Sequence, residues 1–456
     1  MPRLSSPMKK SLSRSPSFLI SAAGLFVLLL LYTAWNIENP QLGLAERISA
    51  FLSAALFALV CLRFVPRWMS FWRFEGEYPE EEPDGFEPPR VRLNIFLSLL
   101  LFCVSVLALV YVLRGLLGRG WNLAESLTFW QCTDSNHYLD IARDWYLSEG
   151  EWDRLVQLVF LPGYPLAIRL LQLFTGNYLY AGLLVSALSF AGAGCLFYSL
   201  LRLDYAHSDA LRALKYLCLI PGSFFFAAPM SESLFLLLSL GCVYCARKGR
   251  WLSGGLLGGL AAFTRSLGLM LFVPLFFELI FNWRHSKGFR LANALALLLI
   301  PAGFGAYCLI NYLVSGNAFQ YLEYQRVHWS QELGLFFNTA AYQLDWALST
   351  LRSAPTNFLG LWGPNLLCSF GALVLLFFAG KELRPSYTAW ALAYYVIAIG
   401  TTWLLSAPRY LAVLTPIHIS LAVLGRKEKT DRVLTGLLLL FSTFYLFAFV
   451  MRWQVW

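Results

Sequence analysis

About thirteen apolar runs, near 18–36, 49–64, 93–115, 177–201, 211–228, 232–247, 251–267, 268–283, 291–313, 355–379, 386–405, 411–425 and 432–451, divide this chain and leave it little choice of solvent. A helix of roughly 20 apolar residues crosses the hydrocarbon of a bilayer, because it satisfies its own backbone N–H and C=O groups. The chain is therefore expected to be an all-α polytopic membrane protein. Composition agrees: of 456 residues, 58% are hydrophobic and 13% charged, too few polar groups to coat a water-soluble domain. The runs between 211 and 283 are marginal as independent spans and read equally as short helices packed in pairs. The first run is too long for a signal-peptide core and lacks a small-x-small cleavage site, so it is expected to be retained.

A formal charge of +9 raises nucleic acid as a partner. The basic residues sit in short clusters between apolar runs, however, and orientation in a membrane explains them better. Arg3, Lys9, Lys10 and Arg14, then Arg63, Arg67, Arg73, Arg90 and Arg92, then Arg202, Arg212 and Lys215 begin a series that returns at every second loop. Arg247, Lys248 and Arg250, then Arg284, Lys287 and Arg290, then Lys381 and Arg384, then Arg426, Lys427 and Lys429 complete it. These loops are expected in the cytoplasm. Loops 116–176 and 314–354, with the tips near Ser231, Arg265 and Arg409, then face the opposite side. The acidic, proline-rich piece 74–92 reads as a cytoplasmic linker.

Nine cysteines, an odd number mostly within apolar runs, imply no disulfide framework. Cys242 and Cys245 have the spacing of a redox or zinc pair but no second pair or nearby His, and are read as helix packing. The glycines at 254, 255, 258 and 259 read as close helix packing, since no strand or Gly-Lys-Ser/Thr makes them a nucleotide loop. No solenoid repeat or likeness between halves is evident.

Chemistry is expected in the first outer loop, where Asp134-Ser-Asn-His137-Tyr138-Leu-Asp140 brings carboxylates and an imidazole beside apolar walls. Such groups are costly to desolvate unless they are used or paired. A plainer reading makes Asp134 the cap of a surface helix. Ser231 is placed to cap a helix starting at Glu232, whose carboxylate the helix dipole favours. Arg265 and Arg409 interrupt apolar runs at the outer rim with no evident carboxylate partner, so each is expected to snorkel to water or to meet an anion such as a lipid phosphate.

These residues resemble the motifs of the PIG-V type of GPI mannosyltransferase and its bacterial relatives, within the GT-C glycosyltransferase superfamily. Asp134-Ser-x-His137-Tyr138-Leu-x-Ile-Ala, Leu161-Pro162-x-Tyr164-Pro165 and Ser231-Glu232-Ser233-Leu234-Phe235 are similar to family motifs. So are Leu260-Ala-Ala-Phe-Thr264-Arg265, Gly316-Asn317-Ala318-Phe319 through Gln325 and Trp329, and Pro408-Arg409-Tyr410. The order is also that of the family. Two departures stand out: Thr133 replaces the family's Trp before the motif Asp, with Trp130 three residues earlier, and two extra N-terminal spans precede the similar part.

The resemblance implies a GT-C-like bundle over 93–425, preceded by a tail, two helices and linker over 1–92 and followed by a C-terminal helix over 426–456. It implies an integral multi-pass glycosyltransferase, by family default a mannosyltransferase, of a bacterial cytoplasmic membrane rather than the endoplasmic reticulum. A sugar would pass from a polyprenyl-phosphate donor to a glycan, lipid or protein acceptor outside the cytoplasm, with inversion. Asp134 would act as general base, with Arg265 and Arg409 on the donor phosphate and His137, Tyr138, Glu232, Gln325 and Tyr410 lining the pocket. No cofactor and no tightly bound metal are expected. Two other readings stay open: a transporter or flippase of a lipid-linked glycan, and a non-catalytic GT-C-like subunit.

Overall fold

The computed structural model describes residues 16–38, 43–73, 88–146, 156–285 and 290–456. Arg3, Lys9, Lys10, Arg14 and Lys287, with residues 74–87 of the expected linker, lie outside them. Among the described residues there is no strand, and one isolated antiparallel bridge joins Leu333 to Thr401. The all-α expectation holds.

Helices α1 (Pro16–Glu38) and α2 (Leu44–Arg73) precede α3 (Val91–Leu116). The first long loop carries α4 (Leu123–Thr128) and α5 (Asp134–Asp144), and α6 (Gly163–Thr175), α7 (Tyr178–Leu201) and α8 (His207–Leu219) follow. The middle of the chain forms α9 (Glu232–Arg247), α10 (Trp251–Thr264), α11 (Phe272–His285), α12 (Leu291–Leu297) and α13 (Leu299–Ser315). A second loop holds α14 (Gln320–Trp329) and α15 (Phe336–Ser353). Last come α16 (Gly363–Ala379), α17 (Pro385–Ile399), α18 (Ala407–Ala412), α19 (Thr415–Leu424) and α20 (Glu428–Val450).

Seven described stretches are long and apolar enough to cross a membrane: Leu44–Phe71, Val91–Leu116, Tyr178–Leu201, Ser266–Arg284, Leu291–Ser315, Pro355–Glu382 and Glu428–Val450. Three of the other expected crossings fall on the shorter apolar stretches Leu19–Trp35, Trp251–Thr264 and Thr415–Leu424. α9, α10 and α17 have 16, 14 and 15 residues, below the roughly 20 that a full span requires. The backbone explains the difference. The run at 211–228 stops at Leu219 before Pro221-Gly222 and a 3₁₀ turn, the run at 251–267 ends where Arg265 turns extended at φ −148°, and the run at 411–425 breaks between Ala412 and Thr415. Several of these breaks lie beside the polar residues of the motifs.

α9 packs against α7 and α10, and α10 against α13. A Cβ on Gly255 would lie 2.1 Å from Ala296 O, and one on Gly259 2.5 Å from Leu299 O. The glycine stripe therefore lets backbones touch, as the packing reading requires.

One end of α9 is Glu232 and the other is Arg247, about 22 Å apart along the axis at 1.5 Å per residue. At the Arg247 end, Arg247 holds Asp204 at 2.5 and 2.8 Å, and Arg384 holds Glu278 at 2.6 and 2.9 Å. Beside them Arg426 reaches Asp209 at 2.7 Å and Glu382 at 2.8 Å, while Lys215 and Tyr216 both reach Asp431 at 2.7 Å. Four of the basic loops used to assign orientation thus meet at one end of the bundle. Arg212, Lys215, Arg247, Arg384 and Arg426 of these loops are each matched by a carboxylate there.

Candidate active site

The other end of α9 gathers the motif residues. α5 begins after a tight turn closed by Ser135 N and Cys132 O at 3.1 Å, with Ser135 Oγ donating to Trp130 O at 2.7 Å. Thr133, at φ 50° and ψ −129°, has the angles of the first central residue of a type II′ turn, a position that glycine dominates. A β-branched side chain is strained there. Thr133 holds the cap position of α5 without a side-chain cap bond. Asp134 is therefore no helix cap: its carboxylate turns instead to Arg409.

A chain of alternating charges starts at that contact. Arg409 Nη2 donates to Asp134 Oδ2, Arg409 Nε donates to Glu232 Oε1 at 2.6 Å, and Arg265 Nη1 donates to the same Oε1 at 2.6 Å. Arg265 Nη1 also reaches Ser231 Oγ at 3.0 Å, and Ser231 Oγ shares a hydrogen bond with Tyr138 OH at 2.9 Å. Phe225 lies beneath Arg409 at 5.5 Å and Tyr410 beneath Arg265 at 5.6 Å, as cation–π faces. Side-chain exposure falls from 28% at Asp134 through 10% at Arg265 and 4% at Arg409 to 1% at Glu232. Asp134 stands at the mouth and Glu232 at the base.

The expectation that Arg265 and Arg409 lack carboxylate partners is overturned. Their partners lie 33, 177 and 275 residues away, so local sequence could not reveal them. Burying a guanidinium demands such a partner. Glu232, 1% exposed, is held by both arginines at the base of the site. Ser231, expected only to cap α9, makes no side-chain cap bond and belongs to this network.

Asp134, Tyr138, Glu232, Arg265, Arg409 and Tyr410 are thus brought together. His137 is set to one side, stacked on Phe160 with centroids 4.5 Å apart, and burial lowers its imidazole below the usual value. Burial also pushes the Tyr138 phenol up. Gln325 is half-buried on α14 with no hydrogen bond to the cluster; α14 packs on residues 156–159, and its Trp329 lies 6.0 Å from Phe160. Asp140 and Asp144 turn outward and pair with Arg143 at 2.6 and 3.1 Å, a solvated surface arrangement of little energetic weight.

The Leu161-Pro162-x-Tyr164 motif supports the site from behind. A Cβ on Gly163 would lie 2.3 Å from Thr264 Oγ1, beside Arg265. Tyr164 donates to Gly182 O at 2.9 Å and packs 5.3 Å from Tyr138. Among the described residues no three His, Cys, Asp or Glu side chains are grouped to hold a metal ion.

Fold and site together define a polytopic helical membrane protein with a buried carboxylate–arginine chain at one end of its bundle. Over 211 residues, 42% of its length, the chain is 29% identical to GPI alpha-1,6-mannosyltransferase 2 of Cricetulus griseus, covering 35% of that protein. Over 216 residues, 43% of its length, it is 29% identical to the Homo sapiens protein of that name, covering 36% of it; the Rattus norvegicus protein is 30% identical over 211 residues. The resemblance to the PIG-V type is thus also found by sequence comparison over less than half of the chain, and the chain spans about a third of the length of the curated relatives it matches. No family model matches it. A distant likeness, TM-score 0.38 at 12% identity over 77% of this chain and 56% of the other, is to the archaeal oligosaccharyltransferase AglB from Archaeoglobus fulgidus in complex with an inhibitory peptide and a dolichol-phosphate.

Proposed function

We propose that this protein is a membrane glycosyltransferase that moves a sugar, mannose by analogy with its relatives, from a polyprenyl-phosphate donor to an extracytoplasmic acceptor with inversion. The orientation follows the basic loops, in a bacterial cytoplasmic membrane. The observation that carries the reading is the alternating chain Asp134–Arg409–Glu232–Arg265, open to its surroundings at Asp134.

Asp134 binds Arg409 through Oδ2, and Oδ1 accepts no hydrogen bond from a described residue. An acceptor hydroxyl attacking the anomeric carbon gives its proton to Oδ1, which serves as general base. The bond from the anomeric carbon to the phosphate oxygen breaks, and its electron pair stays on the lipid phosphate, which gains a negative charge. Arg265 Nε and Nη2 and Arg409 Nη1 are not engaged by described residues, and they are the donors for that charge. Protonation of Asp134 weakens its hold on Arg409 as the phosphate charge grows. Arg409 is then free to turn from one anion to the other.

The test is a membrane assay with radiolabelled polyprenyl-phosphate mannose, glucose and galactose, comparing the wild-type chain with Asp134→Asn. Label should enter a product only with the wild type. Transfer at equal rates by both proteins would remove Asp134 as the base, and no transfer from any of the donors would remove the reading.

A further inference from the structure

The last turn of the chain reaches back to the loop that carries Asp134. After α20 ends at Val450, Arg452 adopts the left-handed conformation at φ 57°. Its N–H bonds Phe449 O at 3.0 Å and Trp453 N bonds Ala448 O at 3.0 Å, the kind of paired bonds that close a helix C-terminus where glycine is the usual residue. An arginine in that position carries backbone strain that glycine avoids. The side chain must account for its presence.

That side chain lies on Phe129, five residues before Asp134. Arg452 Cζ stands 3.9 Å from the Phe129 centroid, and Nη2 donates to Phe129 O at 3.0 Å. Arg114, from the last turn of α3, stands over the same ring at 4.6 Å. One turn back on α20, Phe449 packs 5.4 Å from Phe129, 5.6 Å from Trp130 and 5.6 Å from Phe225, the ring beneath Arg409. The C-terminal segment, expected to be a lone helix outside the transferase domain, touches both sides of the Asp134–Arg409 contact.

We infer that Arg452 is a positioning residue which, by clamping Phe129 in its ring and its carbonyl, fixes the turn at 129–133 and so aims Asp134. This rests on Asp134 being the base of the proposed transfer. The strain at Arg452 and the strain at Thr133 then serve one purpose, a catalytic loop held in a single conformation from both ends.

The experiment uses the full chain in nanodiscs with Arg452→Gln, Arg452→Lys and Arg452→Gly. Gln should lower kcat tenfold or more, by loss of aim at a general base, with the donor KM unchanged. Lys should recover part, since its ammonium can sit over the ring. Gly should keep or raise the melting temperature, yet lose kcat as Gln does. Activity that follows melting temperature across the three variants overturns the inference, as does a raised donor KM at unchanged kcat.

A second readout needs no catalysis. Cys132 is 8% exposed inside the clamped turn, burial pushes its thiol up, and Arg452 beside it pulls the other way. Removing the cation therefore slows alkylation unless the loop opens. Modification of Cys132 by N-ethylmaleimide, read by peptide mass spectrometry, should run several-fold faster in Arg452→Gln than in the wild type. Unchanged or slower modification overturns the clamp. Faster modification in a chain that transfers no sugar keeps the clamp and removes the proposed function instead.

Discussion

Glu232 accepts hydrogen bonds from Arg265 and from Arg409 on a single oxygen, both at 2.6 Å, while its other carboxylate oxygen is buried without a partner among the described residues. One buried anion thus holds two guanidiniums that would otherwise repel each other. Glu232→Gln should cost about 3–5 kcal/mol of stability, because it leaves buried cations undercompensated. Thermal unfolding in detergent checks this. A loss below about 1 kcal/mol would mean that the arginines find other anions.

Asp134→Asn keeps an oxygen for Arg409 and removes the base. Transfer should fall ~10²–10⁴-fold with unfolding near that of the wild type. Stability loss equal to that of Glu232→Gln would instead make Asp134 a structural member of the charge chain.

Arg409 reaches two carboxylates from two different nitrogens, a geometry that a lysine ammonium cannot reproduce. Arg409→Lys should recover only part of the activity and Arg409→Gln none, with the loss of one charge-assisted contact worth about 1.5–3 kcal/mol. Donor KM and kcat measured separately decide the role. An unchanged donor KM in Arg409→Gln, with altered acceptor dependence, would move Arg409 to the acceptor side.

His137 is held below its usual imidazole value by burial, so the folded state resists the proton that the unfolded chain accepts. The stability this gives is full above about pH 6.5, the ordinary imidazole value, and is lost as pH falls below it. Melting temperature should decline from pH 7 to pH 5, and His137→Gln should flatten that decline. An identical decline in both proteins would assign it to other groups.

Thr133→Gly should relieve the turn, where a residue strained at positive φ costs about 1–3 kcal/mol, and give back part of that gain through backbone entropy. A higher melting temperature with lower kcat is the expected pair of results. Reduced stability would show that the threonine methyl and hydroxyl contribute more than the strain takes away.

Much of this was legible in the sequence. Asp134, Tyr138, Glu232, Arg265, Arg409 and Tyr410 lie in short motifs whose residue order survives, and the structure brings all six to one end of α9. What could not be read was their pairing, because ion pairs between residues 33 to 275 positions apart leave no local periodicity. Of the expected crossings, seven described stretches have the length a span requires; apolar runs such as 251–267 and 411–425 satisfy a hydropathy window, yet the helix stops inside them at Arg265 and between Ala412 and Thr415. Arg452 gave no signal at all. Only the backbone at φ 57° and the ring of Phe129 distinguish it from a basic residue at a helix end.

With Glu232 fastened at one tip and Arg247 at the other, α9 behaves as a rod pinned at both ends. A slide of one helical turn, about 5.4 Å, would tear Glu232 from Arg265 and Arg409 and, in the same movement, Arg247 from Asp204. Piston motion is thereby opposed at both tips of this helix. Opening for substrate is left to the lighter pieces around it, such as α14, none of whose residues is fully buried.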